Sequence, residues 1–344
     1  MSGVSGPPEL RFGAFVPQGF MLELGDVPVA DLWRVNVEHA RAIEELGLDG
    51  LWVSDHVHNA PWIDHGRPPG TPKRSTPVLE CWSLLAGLSQ HTSRIRLGQL
   101  ATCNSFRPPA LLAKIAATVD HMSGGRIDLG LGAGWFEREH LGYGVPFPGA
   151  RTRIEMLGEA VEIIRLLWSE PEVTFSGSHY TIDRGRCDPK PLQARVPLVI
   201  GGSGPTTLGI VAARADTWNY VGSLDDLPAT KAKLEARCDA AGRPFEEIRI
   251  SWFETGIVIR RDEDEARRIV EDLRARRGIP EFRSWLWGTP AKVQDAMGQF
   301  VELGVSELVP QFGDHPDTTS LELYATEVVP GLRPTTTAEP GGRR

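Results

Sequence analysis

The sequence predicts an α/β protein, a (β/α)8 TIM barrel with loop insertions and a small β-hairpin insertion before strand 5. Eight apolar segments have the length and composition of buried strands, and amphipathic segments with helical spacing separate them. Residues 95–135 give the repeating unit, because strand, crossover helix and strand make a right-handed parallel pair. The count of eight favours a closed barrel over an open doubly wound sheet.

The predicted strands are short apolar runs that end in small, polar or ionisable residues. They span residues 11–17, 50–56, 95–103, 127–132, 197–202, 217–221, 248–260 and 307–312. The second strand shows the pattern, since Leu51, Trp52 and Val53 lead into Asp55 and His56. In parallel α/β folds the chemistry gathers at such carboxyl ends.

The predicted helices combine an apolar face with start or stop signals. They span residues 31–46, 79–89, 108–122, 151–168, 205–214, 224–241, 262–277, 290–303 and 320–329. The first carries Leu32, Val35 and Ile43 on one side, and Gly47 ends it. The third opens with two prolines and stops at Gly124.

The remaining segments are predicted insertions into one domain, residues 1–334. Residues 173–188 alternate polar and apolar around a Gly-Ser pair, as an antiparallel hairpin does. Long loops follow strands 2, 4 and 7, at residues 58–77, 135–150 and 277–289. Residues 335–344 are rich in proline, glycine and arginine, which predicts a disordered tail.

Composition excludes several classes of protein. The net charge is −8 and no basic run occurs, which argues against nucleic acid or an anionic membrane as a partner. No apolar run reaches the ~18 residues that a membrane helix needs. The amino terminus lacks the features of a signal peptide, and the four cysteines are scattered. We therefore expect a cytoplasmic protein with reduced thiols.

Asp55 and His56 are the first candidate site residues. Histidine titrates near neutral pH and can move a proton, and an adjacent carboxylate can raise its basicity. Neighbours on a strand, however, point to opposite faces. A helix cap or a satisfied buried ion pair is the structural alternative.

Two glycine-rich turns are the other candidates. Residues 201–205, GGSGP, join strand 5 to its helix, where backbone amides and the helix start can hold a phosphate. A plain strand-to-helix turn is the alternative. Residues 130–135, GLGAGW, have the spacing GxGxG and close the fourth strand, so they are no dinucleotide fingerprint. Small residues there allow a flat ring to lie against backbone.

A catalytic metal site is a further possibility. His56 and His58 form an HxH pair at a strand end, and two Asp-His pairs occur at residues 64–65 and 314–315. Such ligands could hold zinc in a barrel hydrolase. The ends of strands 4 to 6 offer mainly glycine, serine and asparagine, which argues against it.

The residues between 10 and 333 resemble the bacterial luciferase-like superfamily. The resemblance is carried by WVSDH, RLGQLATCNSFRPPALLAKIAATVDHMSGGRIDLGLGAGW, YGVPFP, PLVIGGSGP with ADTWN, and ELYATEVVPGLR. The nearer resemblance is to the deazaflavin branch, oxidoreductases that use coenzyme F420. It implies a (β/α)8 barrel, usually a homodimer, with the cofactor ring inside the carboxyl-terminal mouth.

The resemblance also implies roles for individual residues. It places the ring beside Asp55, His56, Leu100, Ala101, Cys103, Gly132, Ala133 and Gly134, and the phosphate at Gly201, Gly202, Ser203 and Gly204. It implies a non-proline cis peptide at Leu100–Ala101. Two positions depart from the sugar-phosphate dehydrogenase of the family: Ala60 replaces an expected tryptophan and Trp135 an expected glutamate. A different, less polar substrate is therefore expected.

We expect an F420-dependent oxidoreductase that transfers a hydride between F420 and a small organic substrate, with C=C or C=N reduction as one form. His56 would be the catalytic residue, and Trp135 and Trp62 would contact the substrate. The alternatives are an FMN-dependent luciferase-like monooxygenase, a metal-dependent barrel hydrolase and a non-catalytic cofactor carrier. Three cationic residues, Arg67, Lys73 and Arg74, would either bind the F420 polyglutamate tail or lie on a solvated loop.

Overall fold

A computed structural model describes residues 9–60, 76–279 and 285–333 of the chain. The strands in these ranges are β1 (Arg11–Phe15), β2 (Gly50–Val53), β3 (Arg96–Gln99), β4 (Thr102–Cys103), β5 (Ile127–Gly132), β6 (Val173–Ser176), β7 (Thr181–Gly185), β8 (Leu198–Gly201), β9 (Thr217–Tyr220), β10 (Arg249–Ile259), β11 (Trp287–Gly288) and β12 (Glu307–Phe312). The helices are α1 (Leu32–Glu45), α2 (Cys81–Ser89), α3 (Pro109–Ser123), α4 (Glu137–Gly142), α5 (Ala150–Ser169), α6 (Pro205–Arg214), α7 (Leu227–Ala241), α8 (Glu263–Arg277), α9 (Pro290–Glu302), α10 (Thr319–Leu323) and α11 (Val329–Leu332).

Eight of the strands close into a parallel barrel. Their order is β1, β2, β3, β5, β8, β9, β10 and β12, and β12 pairs with β1 to complete the ring. Every neighbouring pair is parallel. The predicted (β/α)8 barrel is confirmed. All eight carboxyl ends therefore open at one mouth.

The predicted strand 95–103 is in fact two strands. β3 ends at Gln99, the Leu100–Ala101 peptide bond is cis, and β4 then pairs with β5 through Thr102 and Leu131. The cis bond lies where the resemblance implied it. Gly130 of β5 is indispensable beside this break, because a Cβ on it would lie 1.7 Å from the carbonyl oxygen of Gln99.

Alternation along the strands divides the core into two layers. Leu51 and Val53 of β2 pack outward against the helices, whereas Trp52 points into the barrel. The inner cluster consists of Phe15, Trp52, Leu100, Val199 and Val309, with Phe253 packed against it. Trp52 fits because Gly13 and Gly98 lack side chains, whose Cβ atoms would lie 2.6 and 2.3 Å from the indole. The indole forms the floor of the mouth.

The predicted hairpin is confirmed as β6 and β7, an antiparallel pair that precedes β8, the fifth barrel strand. Glu159 of α5 accepts hydrogen bonds from the backbone N–H groups of Ser178, His179 and Tyr180, at 2.7, 3.0 and 3.0 Å. Tyr180 in turn accepts a 3.2 Å hydrogen bond from the side-chain amide of Asn104. The hairpin is thereby fixed to the segment that follows β4.

Two helical predictions need correction. The loop predicted at residues 135–150 contains α4, whose six residues, mostly polar, are too few to give a periodic signal. The closing helix is not continuous, since a π-helical turn, Tyr324–Val328, separates α10 from α11. Among the described residues, no helix combines the length and apolarity needed to span a membrane. The predicted tail, residues 335–344, lies outside the described residues.

Candidate active site

The Asp55 carboxylate is held by three donors at the end of β2. It accepts hydrogen bonds from the backbone N–H of Cys103 at 2.9 Å and from Nη1 and Nη2 of Arg107 at 2.6 and 3.1 Å. Its side chain is fully buried, and Arg107 also contacts Glu80 at 2.5 Å. Asp55 therefore fixes the segment after the cis peptide in place. Its predicted contact with a cofactor stays a prediction.

His56 points the other way and meets a buried carboxylate from α4. Its Nδ1 lies 2.9 Å from Oε2 and 3.1 Å from Oε1 of Glu139. The side chain of Glu139 is 2% exposed and that of His56 is 15% exposed. Glu139 also accepts the backbone N–H groups of Val57 and His58 at 2.7 and 3.0 Å. The carboxylate joins the strand-2 turn to α4.

Aromatic side chains surround the His56 ring. Phe20 stacks on one face with ring centroids 3.7 Å apart and planes 9° apart. Trp135 and Phe136 approach edge to face at 5.7 and 6.4 Å, and they stack on each other at 5.3 Å. Phe136 is buried, whereas Trp135 is 53% exposed. This aromatic wall gives the mouth an apolar side on which a planar molecule could lie.

The loop that carries Phe20 is itself held by a carboxylate. Glu23 accepts the backbone N–H groups of Gln18, Gly19 and Met21 at 3.0, 2.8 and 2.7 Å. The side-chain carbonyl of Gln18 accepts the backbone N–H of Ser54 at 2.8 Å. The turns after β1 and β2 are therefore tied together beside His56.

Cys103 lies next to a buried histidine, His140. His140 of α4 has its Nδ1 3.0 Å from the carbonyl oxygen of Phe136, so that nitrogen carries the proton. Its Nε2 lies 3.7 Å from Sγ of Cys103 and can accept the thiol proton. Burial, together with the charge of Asp55, raises the pKa of the Cys103 thiol to about 12. The Cys103 side chain is therefore a protonated thiol at neutral pH.

The glycine turns leave space where the strands end. Gly134 has φ +78°, and a Cβ there would lie 2.8 Å from Sγ of Cys103. Gly202 has φ +123°, and Trp218 donates a 2.9 Å hydrogen bond to its carbonyl oxygen. A Cβ on Gly201 or Gly204 would meet nothing nearer than 3.7 and 4.0 Å. Open space therefore lies before the amino terminus of α6.

The metal ligands considered above are not brought together. In the described ranges, no group of three or more His, Cys, Asp or Glu side chains is arranged to hold a metal ion. His315 is buried against His39, with ring centroids 5.0 Å apart, and Glu139 engages Nδ1 of His56. Six residues named in the sequence predictions lie outside the described residues: Trp62, Asp64, His65, Arg67, Lys73 and Arg74.

Sequence reasoning missed four residues at this site. Arg107, Glu139, His140 and Phe20 reach it over long chain separations, 83 residues for His56 and Glu139. One signal was available, since Glu139 and His140 follow Trp135 by four and five residues, one helical turn. The run EREH, residues 137–140, after a glycine strand end could have predicted α4.

A closed (β/α)8 barrel with a glycine-lined mouth and a carboxylate-bound histidine on its rim belongs to a known class of enzymes. Residues 10–283 match the luciferase-like monooxygenase family. The chain belongs to this family and is an oxidoreductase by class. The resemblance noted from the sequence is confirmed.

Three known proteins are similar to the chain. An uncharacterized protein of Mycobacterium tuberculosis (strain ATCC 25618 / H37Rv) is 31% identical over 262 residues, 69% of this chain and 92% of that protein. An F420-dependent glucose-6-phosphate dehydrogenase of Microbacterium testaceum (strain StLB037) is 27% identical over 319 residues, 84% of this chain and 90% of that protein. An F420-dependent secondary alcohol dehydrogenase, solved with an F420-acetone adduct, has a TM-score of 0.77 at 21% identity, and the match covers 95% of this chain and all of that one.

Proposed function

We propose that the protein is an F420-dependent oxidoreductase that transfers a hydride between F420 and a small organic substrate. The observation that carries the proposal is that His56 and the glycine ends of β5 and β8 lie at one barrel mouth. The F420-dependent relatives support this choice of cofactor. Reduction of a C=C or C=N bond is our specific proposal for the reaction.

The residues at the mouth fit a flat ring and a phosphate. Trp52 and Leu100 close the barrel below, and a Cβ on Gly132 would meet only Cβ of Ala101, at 3.5 Å, which leaves space for a ring beside this strand end. Gly201 and Gly204 leave open space at the start of α6, where backbone N–H groups can face an anion. Ala101, Cys103, Ala133, Gly202 and Ser203 complete the proposed cofactor contacts.

Each residue then has a stated task. When bound, F420 supplies a ring carbon that accepts or gives a hydride. His56 takes up the proton that the substrate releases with the hydride, or returns it in the reductive direction. The apolar inner cluster excludes water from below, and the aromatic wall orients the substrate.

The substrate is proposed to be uncharged and partly planar. The mouth presents Trp135 where a sugar-phosphate enzyme would have glutamate, and Ala60 is buried with Phe20 and Phe136 in a separate apolar cluster. Arg107 is engaged by two carboxylates, and Arg153 donates to the carbonyl oxygens of Gly134 and Pro148. Both arginines already bind groups of the protein itself. This argues against their binding a phosphate ester in the substrate.

The proposal also covers the surroundings of the enzyme. We propose a homodimer in the cytoplasm that handles a small-molecule substrate, with one domain over residues 1–334. The dimer follows from the family resemblance, and sedimentation of the purified protein tests it. A monomer at micromolar concentration would refute this part alone.

Titration of the purified protein with F420 and with FMN, followed by cofactor fluorescence, tests the cofactor. We expect F420 to bind with a Kd in the micromolar range and FMN to bind at least tenfold more weakly. Tighter binding of FMN would favour the luciferase-like monooxygenase instead. Metal analysis of the same preparation tests the barrel hydrolase. The absence of stoichiometric metal would argue against a hydrolase. Stoichiometric metal in a protein that binds neither cofactor would favour one.

A further inference from the structure

We propose that Glu139 is a positioning residue that fixes the tautomer of His56, so that Nε2 of the imidazole is the atom that exchanges the proton. The inference rests on the proposed role of His56 in hydride transfer and extends that role to a second residue.

The hydrogen bond between the two side chains determines which nitrogen carries the proton. Glu139 approaches Nδ1 of His56 with both carboxylate oxygens, at 2.9 and 3.1 Å. An ionised carboxylate can only accept, so Nδ1 must be the donor. In the neutral ring the lone pair is then on Nε2, which is the state that a general base requires.

The surrounding donors keep Glu139 in an accepting state. The backbone N–H groups of Val57 and His58 both point at Oε1, at 2.7 and 3.0 Å. A backbone N–H group can only donate, so Oε1 acts as an acceptor in both of these hydrogen bonds. With two backbone donors on Oε1, Oε2 is the oxygen that lies nearest to Nδ1 and can accept its hydrogen bond.

The aromatic contacts prevent the ring from turning. A 180° flip would place Cδ2 where Nδ1 now meets Glu139 and would replace a hydrogen bond by a C–H contact. Phe20 covers one face at 3.7 Å, while Trp135 and Phe136 hold the ring from the side. The orientation and the tautomer of His56 are therefore set by the same four neighbours.

The pair of His56 and Glu139 also connects two parts of the fold that are distant in the chain. His56 follows β2, whereas Glu139 lies on α4 after the glycine end of β5. The same helix carries His140, which accepts the Cys103 thiol. Two successive residues of α4, Glu139 and His140, therefore contact polar side chains from the ends of two different strands, β2 and β4.

The tautomer can be measured in the cofactor-free protein by ¹⁵N NMR of the histidine side chains, with His56→Ala to assign the signals. We expect Nδ1 to be protonated and Nε2 unprotonated in the neutral wild-type ring. In Glu139→Gln the amide oxygen still accepts from Val57 and His58, so its NH2 group donates to Nδ1 and the proton moves to Nε2. Glu137→Gln, an exposed change on the same helix, should leave the tautomer unchanged.

Kinetics complete the test. Glu139→Gln should lower kcat by at least ~100-fold, as expected when a carboxylate beside a catalytic histidine becomes an amide, while the Kd for F420 changes less than threefold. Glu139→Asp should recover part of kcat. A wild-type ring protonated on Nε2, or a reversed tautomer with unchanged kcat, would overturn the proposal. Full turnover by His56→Ala would instead refute the proton role of His56, and the NMR result would be unaffected.

Discussion

Arg107 and Asp55 form a two-point ion pair that locks the turn after β2 to the segment after the cis peptide. Nη1 and Nη2 of Arg107 lie 2.6 and 3.1 Å from the two carboxylate oxygens, and the Asp55 side chain has no exposed surface. Both turns contribute residues to the mouth, so the pair sets the width of the candidate site.

Asp55→Asn should destabilise the protein by about 2–4 kcal/mol, because it leaves the mostly buried guanidinium of Arg107 with one carboxylate instead of two. Urea unfolding followed by circular dichroism measures the change. Arg151→Gln removes an exposed arginine from a surface ion pair with Glu155 and should leave the midpoint unchanged. An unchanged midpoint in Asp55→Asn would show that the pair contributes no net stability.

Gly201→Ala tests the proposed phosphate contacts without disturbing the fold. Val199 points into the barrel and Ile200 outward, so a methyl group on Gly201 would project into the mouth. It would meet only Oδ1 of Asn219, at 3.7 Å, so the thermal midpoint should stay the same. F420 affinity should fall at least ~10-fold, which is about 1.4 kcal/mol.

Gly209→Ala provides the matched control for that change. Gly209 lies in α6, close to the same turn, and a Cβ there would contact nothing within 4 Å. This substitution should leave F420 affinity unchanged and raise stability slightly, because alanine favours the helix. Equal affinities of the two variants would place the phosphate elsewhere.

His56→Ala should lower kcat by about 10²–10⁴-fold, the usual contribution of a general acid or base. The Kd for F420, measured by fluorescence, separates this effect from any loss of cofactor binding. Added imidazole should restore part of the rate. His121→Ala, on the exposed end of α3, should behave as the wild type. Turnover at the wild-type rate in His56→Ala would exclude it as the proton carrier.

Glu307 lies at the amino end of β12. We expect its ionisation to lower the stability of the folded protein as the pH rises. Burial raises the pKa of Glu307 to about 7, and the Asp128 carboxylate adds to the shift. Because this pKa is above its ordinary value of 4.5, the folded state binds the proton more tightly, and stability falls as pH rises from about 4.5 through 7.

Glu307→Gln should therefore raise the free energy of unfolding at pH 8 by about 2–3 kcal/mol, and by little at pH 4.5. Denaturant titrations at the two pH values measure the difference. Glu302→Gln, an exposed change at the end of α9, should have no effect at either pH. A gain that is independent of pH would indicate a cause other than ionisation of Glu307.

For Glu44 we expect the opposite pH dependence, a contribution to stability that is lost as the pH falls. Burial pushes its pKa upward, but hydrogen bonds from the backbone N–H groups of Arg94, Ile95 and Ser93, at 2.6, 3.0 and 2.8 Å, prevail and lower the pKa to about 2. Since the folded pKa is below the ordinary value of 4.5, the stabilisation is complete above about pH 4.5 and is lost as pH falls towards 2.

Glu44→Gln should lower the free energy of unfolding at pH 7 by about 1–3 kcal/mol. The difference from the wild type should shrink as the pH falls below 4.5. The neighbouring exposed Glu45→Gln is the control and should not change stability. A loss of the same size at pH 7 and pH 3 would contradict the account.

Local patterns predicted the barrel because each strand and helix carries its own periodicity. The hairpin was equally visible, since β6 and β7 alternate around a Gly-Ser turn. The division of the third strand at Leu100 was not, because residues 95–103 contain no proline or turn signal at that point and the cis bond was implied only by resemblance. Short apolar runs give length but no internal break.

The site was predicted less completely than the fold, and the reason is the distance along the chain. His56 and the glycine turns can be recognised as site candidates from the sequence, because histidine and glycine occur at the ends of predicted strands. Glu139 does not, because its partner is 83 residues away and its helix has only six residues. Arg107 was passed over for the same reason, as its ion pair spans 52 residues.

The side chain at position 52 and the absence of side chains on the neighbouring glycines depend on each other, so a substitution at one of these positions requires a substitution at another. The indole occupies the volume that side chains on Gly13, Gly50 and Gly98 would otherwise fill. Replacing Trp52 by a smaller residue would deepen the chamber from beneath while its rim stays intact. A designer who wants room for a bulkier reactant could therefore begin at the bottom of this enzyme and leave His56 and Glu139 untouched.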